Sequence, residues 1–293
     1  MNTLLVTGAS GQIGAQIVRA LSAHAVHVRA MHRRSPAANM PPGVQLCLGD
    51  YGDVVSMAQA FKGVDVAFMY TPQTWDPALW QQARVAGVRH VVLLSSASVV
   101  KVPPGSNPVA ERHRLAEQQL MASGVGWTIV RPDTLAGNCL EWVESIRRWG
   151  EVRVPYPESM RNPIHESDVA ALIAQCMLNP APEGVAFNVT GPRVITISQQ
   201  VRMLGEVLGQ QLPCVQVTEE QAVADMLACG RVGSEAVARR LVAYMHKTVD
   251  EPPACTADFE RAMGRGPRDF FHWVQDHLAD FSPQHNRTQS TDS

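Results

Sequence analysis

The sequence predicts an α/β fold, a doubly wound parallel sheet with a smaller, mainly helical C-terminal lobe, and three observations carry that prediction. Short apolar runs alternate with helix-periodic segments, the first run opens into a glycine-rich turn, and the alternation fades after about residue 192. A strand followed by a helix and another strand needs a crossover, which keeps the strands parallel and lays helices on both faces.

In chain order the strands are Thr3–Thr7, Val26–Met31, Val44–Leu48, Val64–Met69, His90–Ser95, Trp127–Val130 and Ala186–Val189, all read as buried. The helices between and after them are Gln12–Ser22, Tyr51–Phe61, Pro77–Ala86, Pro108–Ser123, Ser167–Asn179 and Ser198–Leu208. The fourth has the clearest ends. Asn107 stands at its cap, Pro108 in its first turn and Gly124 just past its last. Residues 1–191 are expected to form the sheet domain, with 133–165 contributing to a substrate lobe, 192–281 forming the C-terminal lobe and 282–293 a polar tail.

Bulk properties narrow the function. A 293-residue chain with 45% hydrophobic and 18% charged residues is a packed globule rather than a disordered chain. A net charge of −2 gives no reason to expect nucleic acid. The 6 cysteines form no C-x-x-C pair and no His-supported cluster, so reduced thiols and no metal are expected. No basic leader opens the chain and no apolar stretch approaches a membrane span, so the expectation is a cytoplasmic protein with no membrane partner.

Chemistry enters at the first turn. The strand Leu4–Thr7 runs into Gly8-Ala9-Ser10-Gly11-Gln12-Ile13-Gly14 and then into a helix carrying Ile13, Ile17, Val18 and Leu21. Glycines there permit a tight turn and let a pyrophosphate approach the amides of the helix N-terminus, so Gly8, Ser10, Gly11, Gln12, Ile13 and Gly14 are expected to bind a dinucleotide. The first 49 residues contain Arg19, Arg29, Arg33 and Arg34 but no Asp or Glu. An acid after the second strand would hold ribose hydroxyls. Arginine there suits a 2′-phosphate, so the expected cofactor is NADPH (NADP+), with Arg33 first and Arg34 as its neighbour. Asp50 and Tyr51, after the third strand, are placed for the adenine end, although a helix cap would make Asp50 look the same.

The stretches TGASGQIG (7–14), GD (49–50), VVLLSS (91–96), ERHRLAEQQLMASGVGWTIVRP (111–132), ESDVA (166–170), FNVTGP (187–192) and TADFERAMGRGPRDFFHWV (256–274) together resemble the NmrA-like branch of the atypical short-chain dehydrogenase/reductases. The resemblance implies a Rossmann-type NAD(P)-binding fold. In the wider superfamily a tyrosine, with a lysine one helical turn later, stands on the helix before the RP strand, and a serine ends the preceding strand. By register from Glu117 those sites are Val109 and His113 here; the serine site is kept as Ser95 or Ser96. Valine has no proton to give. The resemblance therefore leaves His113 and Ser96 as candidates for catalysis, with Glu117 able to orient the imidazole or raise its pKa; Tyr70 is a candidate from its own place at the C-terminal edge of the fourth strand, where open sheets bind their ligands. The loop that follows Tyr70 makes Thr71 a candidate cofactor contact and Trp75 a candidate pocket wall; the resemblance adds Ser95, His113 and Pro132 to the cofactor contacts, Asn138 and Trp142 follow as candidates for the substrate wall, and His165 and Asp168 resemble a structural turn.

Two functions fit. The first is an NADPH-dependent reductase that transfers hydride to a small organic electrophile such as an imine, quinone or activated alkene or carbonyl, which need little proton donation. The alternative is a non-catalytic NADP(H)-binding redox sensor of the NmrA type, which alone calls for a protein partner. Either works as a monomer or homodimer.

Overall fold

The computed structural model describes residues 1–33, 40–181, 184–230 and 232–281. Its 7-stranded sheet comprises β1 (Thr3–Val6), β2 (His27–His32), β3 (Gln45–Leu48), β4 (Val66–Tyr70), β5 (His90–Leu94), β6 (Gly126–Pro132) and β7 (Val185–Val189). Every pairing is parallel, in the order β3-β2-β1-β4-β5-β6-β7. The crossovers are α1 (Gln12–Ser22), α2 (Val54–Phe61), α3 (Leu79–Val85), the short α4 (Ser98–Lys101) and α5 (Pro108–Ala122), followed by the helix Glu166–Leu178.

Strand alternation splits the core into two layers. Leu4 and Val6 of β1 pack with Ile17, Val18, Leu21 and the helix residues Val169, Leu172 and Ile173 on one face. Leu5 points to the other face, among Met57, Phe61, Met69, Leu79, Trp80, Leu93 and Leu120. Both layers exclude water, which is why the central strands read as unbroken apolar runs. β3 differs from its expectation as a buried strand. It is the sheet edge, paired on one side only, and Leu46 and Leu48 are 42% and 60% exposed.

Two compact units emerge. The first spans 1–135, 164–190 and 256–267, and the second spans 136–163, 191–255 and the described residues from 268. The expectation that all of 192–281 forms one lobe is thus corrected at 256–267. Phe259 is fully buried in the core beside α1, Asn188 donates its amide to Asp258 at 2.7 Å, and Arg265 pairs with the buried Asp168 at 2.7 Å. Burying Phe259 and satisfying an edge amide of β7 hold this segment on the first unit.

The second unit has its own core, including Trp142, Ile146, Val154, Leu204, Phe270 and Trp273, with a smaller cluster from the helices Glu219–Ala228 and Glu235–Asp250. No helix among the described residues is long and apolar enough to cross a membrane.

Candidate active site

In an open parallel sheet, ligands collect at the carboxyl ends of the strands where the order reverses, here between β1 and β4. A cavity of about 790 Å³ opens at that point, lined by Thr7, the glycine turn, His32, Arg33, Phe68 and Tyr70 among others. Gly8 has φ +61°, and a Cβ there would stand 2.8 Å from the Tyr70 ring. A Cβ on Gly14 would meet the Gly8 carbonyl oxygen at 2.2 Å. The start of α1 has no side-chain cap and no acid in its first turn, whereas Asp53 caps α2 and Asn107 caps α5. Open amides, a positive helix end and a floor without side chains fit a pyrophosphate.

The arginines divide. Arg33 is exposed and lines the cavity. Arg34 lies outside the described residues. Arg29 turns away to donate to the carbonyls of Ala60 and Lys62 at 2.9 and 2.8 Å and to Gln45 at 3.1 Å, bracing the sheet edge. His32 is buried in the cavity wall, and its Nε2 has no hydrogen-bond partner among the described residues.

At the adenine side, Asp50 accepts from the Gly52 amide at 2.9 Å in an exposed turn, while the cap of α2 falls to Asp53. Tyr51 is corrected from a cofactor contact to a core residue. It is 4% exposed, its hydroxyl lies 2.5 Å from Thr7 Oγ1, and its ring meets Tyr70 edge-on at 5.1 Å. A large ring with a satisfied hydroxyl gains most by burial, and desolvation raises the phenol's pKa. Tyr51 thus supports Thr7 and Tyr70 from beneath, and Tyr70 faces the cavity. Thr71 is buried and gives both its amide and its hydroxyl to the Leu94 carbonyl at 3.1 Å.

On α5, His113 places Nδ1 3.4 Å from Ser95 Oγ. Burial, helped by the charge of Arg112 and opposed by Glu117, pushes its pKa down to about 4, so the imidazole is neutral at physiological pH. Glu117 does raise this pKa, as expected, but burial and Arg112 outweigh it. Glu117 is 2% exposed and accepts from Arg131 Nε at 2.9 Å and Nη2 at 2.6 Å, so its charge is committed elsewhere. Ser96 is occupied too, its Oγ accepting from the Ser98 amide at 3.2 Å, which leaves Ser95 as the serine facing His113. Val109, at the tyrosine position, is 38% exposed. Pro132 is buried at the end of β6, its carbonyl accepting from Ala97.

The residues expected at the substrate wall divide by burial. Trp75 donates its indole N–H to Gln119 at 2.8 Å, as Trp80 does at 3.1 Å, and packs against the core, so Gln119 anchors both rings to α5. Trp142 is 6% exposed in the core of the second unit, and Asn138 is exposed on the 3₁₀ helix Ala136–Glu141.

A family model described as NAD(P)H-binding matches residues 8–180. The chain belongs to this NAD(P)H-binding family. It is 31% identical to (4-alkanoyl-5-oxo-2,5-dihydrofuran-3-yl)methyl phosphate reductase of Streptomyces griseus, over 96% of this chain and 100% of that protein. It is also 31% identical to NAD(P)H azoreductase of Xenophilus azovorans, over 95% of this chain and 99% of that protein. Among solved structures it is similar to the NADPH-dependent quinone oxidoreductase QOR2 of Escherichia coli complexed with NADPH (TM-score 0.77, 20% identity, 94% of this chain and 99% of that one). Triphenylmethane reductase of Citrobacter sp. is similar too (TM-score 0.78, 19% identity, 95% and 100% covered). The family's nucleotide fits the glycine cradle, the uncapped α1 and the cleft of about 790 Å³.

Reading the residues in order missed His32 and Arg112. The only signal for either was its position, the last residue of an apolar strand and the neighbour of His113.

Proposed function

We propose that the protein is an NADPH-dependent reductase of electron-poor acceptors, such as azo, quinone, imine or activated-alkene groups, that works without a tyrosine acid. NADPH, when bound, supplies the hydride. Glycines 8, 11 and 14 and the free amides of α1 take its pyrophosphate, and Arg33, with His32 beside it, takes the 2′-phosphate. The observation that carries the reading is the exposed Val109 beside a neutral His113 bonded to Ser95. A neutral imidazole and a serine hydroxyl orient an acceptor by hydrogen bonds but are poor acids. They therefore suit acceptors whose reduced atom needs little protonation and can take its proton from water. The Glu117–Arg131 pair holds α5 to β6 and fixes the backbone that carries His113. The two relatives of matching length, both named reductases, support the same reading.

The test is fluorescence titration with NADPH and NADH, followed by loss of nicotinamide absorbance with a quinone, an azo dye and an alkylidene lactone. Preferential NADPH binding with turnover of any acceptor supports the reductase. Tight binding with no turnover replaces it by the sensor.

A further inference from the structure

We propose that Arg112 is an anion-binding subsite beside His113 and that the preferred acceptor carries a phosphate or carboxylate away from the bond being reduced; the acceptor half of this rests on the reductase reading above. The first observation is an imbalance among the guanidinium groups around α5. Arg131 is forked onto Glu117, and Arg114 is bonded to Glu111 and to the carbonyls of Val99 and Val102. Both carboxylates of α5 are thereby used, and Glu111 also accepts from the Gly105 amide at 2.9 Å.

Arg112 stands between them with no carboxylate partner among the described residues. Its one direct partner among the described residues is the neutral Gln73 Oε1, at 3.4 Å from Nη1. Its Nε is buried and has no hydrogen-bond partner among the described residues. A buried guanidinium nitrogen without a partner carries a desolvation cost that a bound anion would offset. Burial lowers the pKa of this guanidinium, and the same charge depresses His113.

The second observation is position. Gln73 lies in the loop directly after β4, at the carboxyl edge of the sheet, and Arg112 directly precedes His113 on α5. A cation there lies next to the residue assigned to orienting the acceptor. Its planar fork matches the paired oxygens of a phosphate or carboxylate.

The experiment uses the full chain with NADPH and two acceptors, (4-hexanoyl-5-oxo-2,5-dihydrofuran-3-yl)methyl phosphate and its dephosphorylated alcohol. Arg112→Gln is expected to raise KM for the phosphate by about 10-fold or more, the loss of a charged hydrogen bond, while the alcohol and the Kd for NADPH stay within about twofold. Arg112→Lys is expected to recover part of the loss. Equal losses for both acceptors overturn the proposal in favour of packing, and a weakened Kd for NADPH overturns it in favour of a cofactor contact. Calorimetric titration of phenyl phosphate into the NADP+-bound protein needs no turnover. Binding by the native chain that Arg112→Gln abolishes supports the subsite even if the reductase reading fails, and equal or absent binding in both rejects it. Unchanged thermal melting of the variant shows that it is folded.

Discussion

At the scale of single residues, the glycine turn is governed by space. A methyl at position 14 would stand 2.2 Å from the Gly8 oxygen, a contact that only a backbone shift relieves. Gly14→Ala is therefore expected to weaken NADPH by about 100-fold or more, since the displaced backbone is the pyrophosphate floor, as read by fluorescence titration. Arg33→Ala is expected to weaken NADPH by about 10-fold and leave NADH nearly unchanged, and equal losses would remove Arg33 from the 2′-phosphate. His113 yields a pH prediction. Folding lowers its pKa from the ordinary 6.5 to about 4, so in that window the unfolded chain binds the extra proton and stability falls as pH drops. Denaturant melts are expected to show this slope in the native chain and a shallower one in His113→Gln, the remainder coming from groups such as the buried His90, whose pKa burial also lowers. The glycines were legible because their constraint is local. Tyr51 and Trp75 were not, because the atoms that claim their polar ends, on Thr7 and Gln119, are each 44 residues away in the chain.

At the scale of elements, α5 joins the best-read local signal to the least readable long-range one. Asn107 accepts from the amides of Val109 and Ala110, as its type and place before Pro108 predict. The same helix carries the buried Glu117, whose partner lies on β6. Arg131→Met is expected to cost about 3–5 kcal/mol in chemical denaturation, because it strands a buried carboxylate, and adding Glu117→Leu is expected to recover most of that loss. Failure of the double variant to recover would mean that the pair holds α5 by more than charge compensation. Helix ends were readable within a residue or two for α1 and α5 because capping is decided by neighbours in sequence. The exposure of β3 was not, because an edge strand differs from a central one only in what lies beside it.

At the scale of the whole molecule, a ligand that binds only the folded chain stabilises it by mass action. NADPH at about 100 times its Kd is expected to add about 2.7 kcal/mol and raise the melting temperature, with NADH at equal concentration adding less. Equal shifts would count against a 2′-phosphate site. The alternation of apolar runs and helices, the glycine spacing and the arginines after β2 determined the sheet, its parallel sense and the nucleotide expectation, because each rests on backbone geometry or charge expressed within a few residues. The tertiary structure alone decided that Thr256–Pro267 belongs to the first unit, that Glu117 takes its hydrogen bonds from Arg131, and that Arg112 has no carboxylate partner among the described residues. Those outcomes depend on which groups compete for one partner once burial has removed water as an alternative, and that competition is settled only among residues brought together by the fold.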